Sequence, residues 1–147
     1  MKYIFPIVFM LFISSNLFAE TLSVSCEASK GYSYYFEGGA VPKSKSGFTE
    51  DGISGGKITL TLKDKDKGDV LSMDATGVLK SATSQGGVVM VLQAGEGGIN
   101  WFVMYEDGVI ETYSLNVASM KMASYRNTVG NPFVAKNSLF ISNCEAI

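Results

Sequence analysis

The 147-residue chain contains no histidine. That absence excludes the Ser-His-Asp triad, the Cys-His pair and every His-ligated zinc or iron site. Cysteine is scarce as well: Cys26 and Cys144 are the only two. No apolar run reaches the ~20 residues that a membrane-spanning helix needs. Charge is sparse and nearly balanced, with 12 Lys and Arg against 14 Asp and Glu. The two signs are interspersed and form no basic stripe, which argues against nucleic acid and against anionic lipid as partners.

What is present begins with an export signature. Lys2 precedes an apolar stretch over 4–13. Ser14, Ser15 and Asn16 break it, and Ala19 offers a small residue for a signal peptidase. Residues 1–19 read as a signal peptide and 20–147 as a single β domain, periplasmic or secreted after bacterial export. No transmembrane segment is expected once the signal is removed. An even cysteine pair in an exported chain predicts a Cys26–Cys144 disulfide that ties the first strand to the last. Lipidation of Cys26 is the competing reading, but Ser23 stands where a lipoprotein signal has leucine.

Beyond residue 20 no helical period appears. Short runs rich in Val, Ile, Thr, Tyr and Phe alternate with Gly-rich breaks, the pattern of an all-β domain. Candidate strands cover 22–27, 33–37, 57–63, 70–74, 78–82, 88–93, 99–105, 109–116, 120–125 and 138–143. The stretch 38–56 reads as a surface loop. Over 57–63, Ile58, Leu60 and Leu62 alternate with Lys and Thr, so one face is buried and one is wet. The expected fold is a single antiparallel meander of eight to ten strands closed, or nearly closed, into a barrel. A sandwich is the alternative.

Two registers compete for the hairpin at Glu106-Asp107-Gly108. A two-residue turn mixes polar and apolar residues on both faces. A three-residue loop with Gly108 left-handed pairs Tyr105 with Val109 and puts Ile99, Trp101, Val103, Tyr105, Val109, Tyr113 and Leu115 on one face. The second register is preferred, because a one-residue slip moves every side chain to the other face. It leaves Phe102, Met104 and Ile110 on the opposite face, so the hairpin is either covered on both sides or carries an exposed apolar patch.

Few residues invite chemistry. Glu111 shares a face with Trp101, Tyr105 and Tyr113, and an acid there needs a partner such as Arg126. It reads as an acid in a ligand pocket or, more plainly, as a rim acid satisfied by its neighbours. Asp64-Lys65-Asp66-Lys67-Gly68-Asp69 lacks the glycine and glutamate spacing of a calcium loop and reads as a hairpin turn. The Gly86-Gly87 and Gly95–Gly98 segments precede no helix, so neither is a phosphate loop. No cofactor and no metal site is expected. Tyr32 and Tyr34 share one face of their strand, as ordinary packing or as recognition residues.

The pattern Ile53-Ser54-Gly55-Gly56-Lys57, Asp74-Ala75-Thr76-Gly77, Tyr105 with Glu111-Thr112-Tyr113, and Ser138-Leu139-Phe140 with Cys144 resembles a family of small secreted bacterial proteins. That resemblance implies an exported all-β domain and attaches no activity. In plan the chain also resembles periplasmic lysozyme inhibitors of the small β-barrel type. Their Ser-Gly-x-x-Tyr loop is missing here, because Ser54-Gly55-Gly56-Lys57 runs into Ile58.

The resulting expectation is a non-enzymatic binding module for a protein partner. The alternative is a small barrel carrying an apolar small molecule. Tyr32, Tyr34, Trp101, Tyr105, Glu111 and Tyr113 are the candidate contacts. An outer-membrane barrel is disfavoured by short strands and by the lysines of 57–63.

Overall fold

A computed structural model describes residues 21–27, 29–64, 66–93 and 97–147. The signal-peptide reading of 1–19 lies outside the described residues, as do Lys65 and most of the Gly-rich segment at 94–97.

The described residues form eleven strands: β1 (Leu22–Cys26), β2 (Lys30–Tyr35), β3 (Gly47–Gly52), β4 (Lys57–Leu62), β5 (Gly68–Met73), β6 (Leu79–Ser81), β7 (Val88–Gln93), β8 (Gly98–Met104), β9 (Ile110–Asn116), β10 (Lys121–Asn127) and β11 (Lys136–Ala146). All pair antiparallel in one sheet that curls into a half-barrel. The main path runs β6-β5-β4-β1-β11-β10-β9-β8-β7, and β2 with β3 branches from β11.

The long β11 explains this fork. One of its edges pairs with β10 over Asn137–Asn143. The other edge is shared: its first half takes β2 and its last residues, from Cys144, take β1. The fold is therefore all-β and barrel-like, but not a simple meander, and its single sheet removes the sandwich.

One strand lies in a stretch whose sequence reads as loop. The segment 38–56 contains β3, which pairs with β2 through Tyr32↔Glu50 and Tyr34↔Phe48. Its sequence, Gly-Phe-Thr-Glu-Asp-Gly, shows no apolar alternation, and none of its residues is buried. Pairing along β2, rather than burial, makes it a strand, and the described residues hold eleven strands rather than ten at most.

The hairpin register is the three-residue one. Tyr105 N–H donates to Val109 O at 3.0 Å, Gly108 N–H donates to Tyr105 O at 3.0 Å, and Gly108 is left-handed at φ 81°. Phe102, Met104 and Ile110 consequently face outward.

The core fills the half-barrel at one end. Val24, Leu60, Trp101, Leu115 and Met122 are buried there, each contributing roughly 1.5–3 kcal/mol. Trp101 reaches across the curl, and its indole N–H donates to Thr61 O on β4 at 2.9 Å. Gly68 makes room for this approach. A Cβ there would lie 2.1 Å from Thr61 O and 3.0 Å from the indole nitrogen.

The disulfide joins Cys26 to Cys144, which are register partners with Cα atoms 4.0 Å apart. It staples β1 to β11 where the two branches of the sheet diverge.

Candidate functional site: a concave cleft and a convex apolar face

The inward face of the sheet changes character along its strands. Across β11, β10, β9 and β8, one row reads Ser142, Met122, Leu115, Ile99, and the next reads Phe140, Ser124, Tyr113, Trp101. The third reads Ser138, Arg126, Glu111, Val103 and brings in charge. Each row is one pleat further from the packed end, so the interior passes from closed and apolar to open and polar.

A cleft of about 580 Å³ occupies the polar end. Phe140, Ile58 and Tyr113 are buried beneath it, Arg126 and Tyr105 form one wall, and Lys80 with Asp74 forms the opposite lip.

Glu111 organises the wall. Arg126 Nε lies 3.1 Å from its Oε1. Tyr113 donates its hydroxyl to Oε2 at 2.7 Å, and Tyr105 reaches the same oxygen at 3.4 Å. Burial raises the Tyr113 hydroxyl well above the usual tyrosine range, and the Glu111 charge adds to it. The same two causes push Tyr105 up to about 12. Both hydroxyls therefore stay protonated as donors at neutral pH.

A second polar cluster lies where β2, β3 and β11 meet. Asp51 accepts from Ser33 Oγ at 2.8 Å, Tyr35 OH at 3.0 Å, Lys136 Nζ at 2.9 Å and its neighbour Gly52 N–H at 2.8 Å. Ser33 also shares a 2.6 Å hydrogen bond with Ser138. Burial alone would raise the Asp51 carboxyl, but these four donors outweigh it and hold the group well below the usual range. Lys136 is likewise lowered by burial and then raised, on balance, by Asp51 and Tyr35. The cluster's side chains are spent on each other, so it holds strands together rather than offering a site.

The convex face carries two apolar stretches where a solvated sheet is normally polar. One unbroken cross-strand row runs Glu50, Tyr32, Leu139, Tyr125, Thr112, Phe102, Met90 from β3 to β7. At its β3–β2–β11 end, Phe48 is 82% exposed, Tyr32 60% and Leu139 54%. Tyr34 and Ile141 are exposed beside them. The Tyr34 ring packs edge-on against Phe36 and Phe48, with centroids 5.0 Å apart in each case. Val88, Met90, Met104 and Ile110 are exposed at the far end.

The residues singled out from the sequence thus divide three ways. Tyr105, Glu111 and Tyr113 meet in the cleft. Trp101 shares their face but is fully buried, with its N–H committed to Thr61 O, so it lines no ligand space. Tyr32 and Tyr34 lie on the convex face, away from the cleft. Ser124, Phe140, Asp51 and Lys136 went unrecognised, because only the pairing of distant strands brings them to these positions. Among the described residues, no group of three or more His, Cys, Asp or Glu side chains could hold a metal ion. No helix among them is long and apolar enough to cross a membrane.

Comparison with known protein families, with curated proteins and with solved structures finds no match to this chain.

Proposed function

We propose that the protein is an exported, non-enzymatic binding module that docks onto a protein partner through its convex face. The observation that carries this reading is the exposure of Tyr32, Tyr34, Phe48, Leu139 and Ile141 together on three hydrogen-bonded strands. Scattered surface apolar residues are ordinary, whereas a contiguous patch of this kind marks an interaction site. Tyrosine and phenylalanine anchors with charge confined to the margin, here Glu50 and Lys30, match the anatomy of protein interfaces. The Tyr34, Phe36 and Phe48 rings already pack edge-on against one another, which lowers the entropy lost on docking. The disulfide supports an oxidising compartment, and hence periplasmic or secreted localisation. The lack of histidine supports binding over catalysis.

A photo-crosslinking amino acid placed at Phe48 in producing cells tests the reading. One discrete protein adduct is expected, and it should disappear when Tyr32→Ser and Leu139→Ser are added. Neither of these surface changes should cost more than about 0.5 kcal/mol of stability. No adduct at Phe48, or equal adducts from a control position at Lys63, exposed in the turn after β4, would overturn it.

A further inference from the structure

We propose that the concave cleft binds a small monoanionic carboxylate with an apolar body. This goes beyond docking at the convex face and involves none of the same residues.

The formal charges lining the cleft balance, but their hydrogen-bonding capacity does not. Glu111 already accepts from Arg126, Tyr113 and Tyr105. Asp74 is engaged by both the hydroxyl and the N–H of Thr76, with Lys80 3.8 Å away. Asp107 accepts from Val109 N–H at 3.1 Å. Each acid is therefore engaged within the protein, Glu111 most fully, with three of its about four acceptor sites taken.

The donors are less fully engaged. A guanidinium carries five N–H groups, and one carboxylate occupies at most two in fork geometry. Glu111 is the only described partner of Arg126, whose side chain is 57% exposed at the cleft wall. The Ser124 and Ser72 hydroxyls line the same space without a hydrogen-bond partner among the described residues. What remains available is one planar cationic fork, oriented by Glu111, with two free hydroxyls lining the same space and the Lys80 ammonium, 3.8 Å from Asp74, at the opposite lip.

The floor selects the rest of the ligand. Phe140, Ile58 and Tyr113 offer buried apolar and aromatic surface, and about 580 Å³ is within the range of small-molecule sites. A single fork matches one carboxylate. A phosphate dianion would place a second charge against Glu111 and leave the apolar floor uncovered. A cation would meet the Arg126 guanidinium on one side of the cleft and the Lys80 ammonium on the other.

The test is a titration of the 15N-labelled mature protein with 4-phenylbutyrate, its neutral amide and inorganic phosphate. The carboxylate is expected to shift the amide signals of Tyr113, Ser124 and Phe140 and to bind about tenfold tighter than the amide. Arg126→Lys retains the charge opposite Glu111 but loses the fork, and should weaken binding about fivefold. Ser124→Val fills the floor without touching the ion pair, and should abolish the shifts in a folded protein. The proposal is overturned if carboxylate and amide bind equally, if phosphate binds tighter, if the shifts map to Phe48 and Leu139, or if millimolar carboxylate shifts nothing. Only shifts at Phe48 and Leu139 would touch the convex patch, and the Phe48 crosslink is read independently of every other outcome, so failure of one reading is told apart from failure of the other.

Discussion

Arg126 and Glu111 stand directly opposite each other on β10 and β9, joined at 3.1 Å, with the guanidinium side chain 57% exposed and the carboxylate side chain only 10% exposed. The pair is asymmetric: one partner is in water and the other nearly out of it. Removing the exposed partner should therefore do more harm than neutralising the buried one. Arg126→Ala leaves a desolvated charge held only by two tyrosine hydroxyls, and is expected to cost about 1–3 kcal/mol in urea unfolding. Glu111→Gln keeps an acceptor for Tyr113 and should cost less. The double alanine variant should lose less than the sum of the two single alanine variants, with a coupling of about 0.5–3 kcal/mol.

Asp51 sets the acid limit of the β2–β3–β11 branch. Its carboxyl is held below its ordinary value in the folded state, while in the unfolded chain it titrates at about 3.9. The folded state therefore binds fewer protons, and Asp51 contributes stability above pH ~4 that is lost as pH falls toward the folded value. Asp51→Asn should lower stability at pH 7 and flatten its fall between about pH 5 and pH 2. Urea midpoints measured across that range check both effects. At the alkaline end the sign reverses. Lys136 is held above its ordinary value, so its contribution is present below about pH 10 and fades as pH rises further.

The disulfide closes a separation of 118 residues. Chain-entropy models rate such a loop at about 4–5 kcal/mol. Replacing Cys26 and Cys144 together by alanine should lower the unfolding free energy by roughly 2–5 kcal/mol. The fluorescence of Trp101, the only tryptophan, reports that unfolding directly, because the indole is buried in the folded state. Cys26→Ala alone leaves Cys144, the less buried of the two, as a free thiol, and non-reducing electrophoresis should then show disulfide-linked dimers.

Strands with strong alternation are legible from their residues. The Ile58, Leu60, Leu62 pattern names β4 and its buried face, because a period of two leaves only one way to hide three large side chains. The hairpin around Gly108 is legible for a related reason: only one register keeps Trp101, Val103, Tyr113 and Leu115 on one face, and a one-residue slip would put the first two and the last two on opposite faces. Phe102, Met104 and Ile110 then had to face outward, and they do.

Strand β3 is different. Gly47–Gly52 buries nothing, so no local signal marks it, and it exists because β2 presents an open edge. Asp51 could not be seen as a structural residue without β3, since three of its four donors belong to β2 and β11. The cleft was half legible. Glu111 with its tyrosines follows from the hairpin, and Arg126 was a plausible partner. Phe140 and Ser124 join them only because β11 pairs with β10.

Local pattern therefore determined this protein's class, its strongest strands, the outward set on the β8–β9 hairpin and the pairing of its only two cysteines. Each depends on residues close in sequence or on a count with one solution. The fork at β11, the closure of the curl by Trp101 on Thr61, and the separation of a polar concave cleft from an apolar convex face were decided only in three dimensions. They depend on which distant edges find each other. That choice is made by the summed burial and hydrogen bonding of the whole sheet, which no single segment encodes.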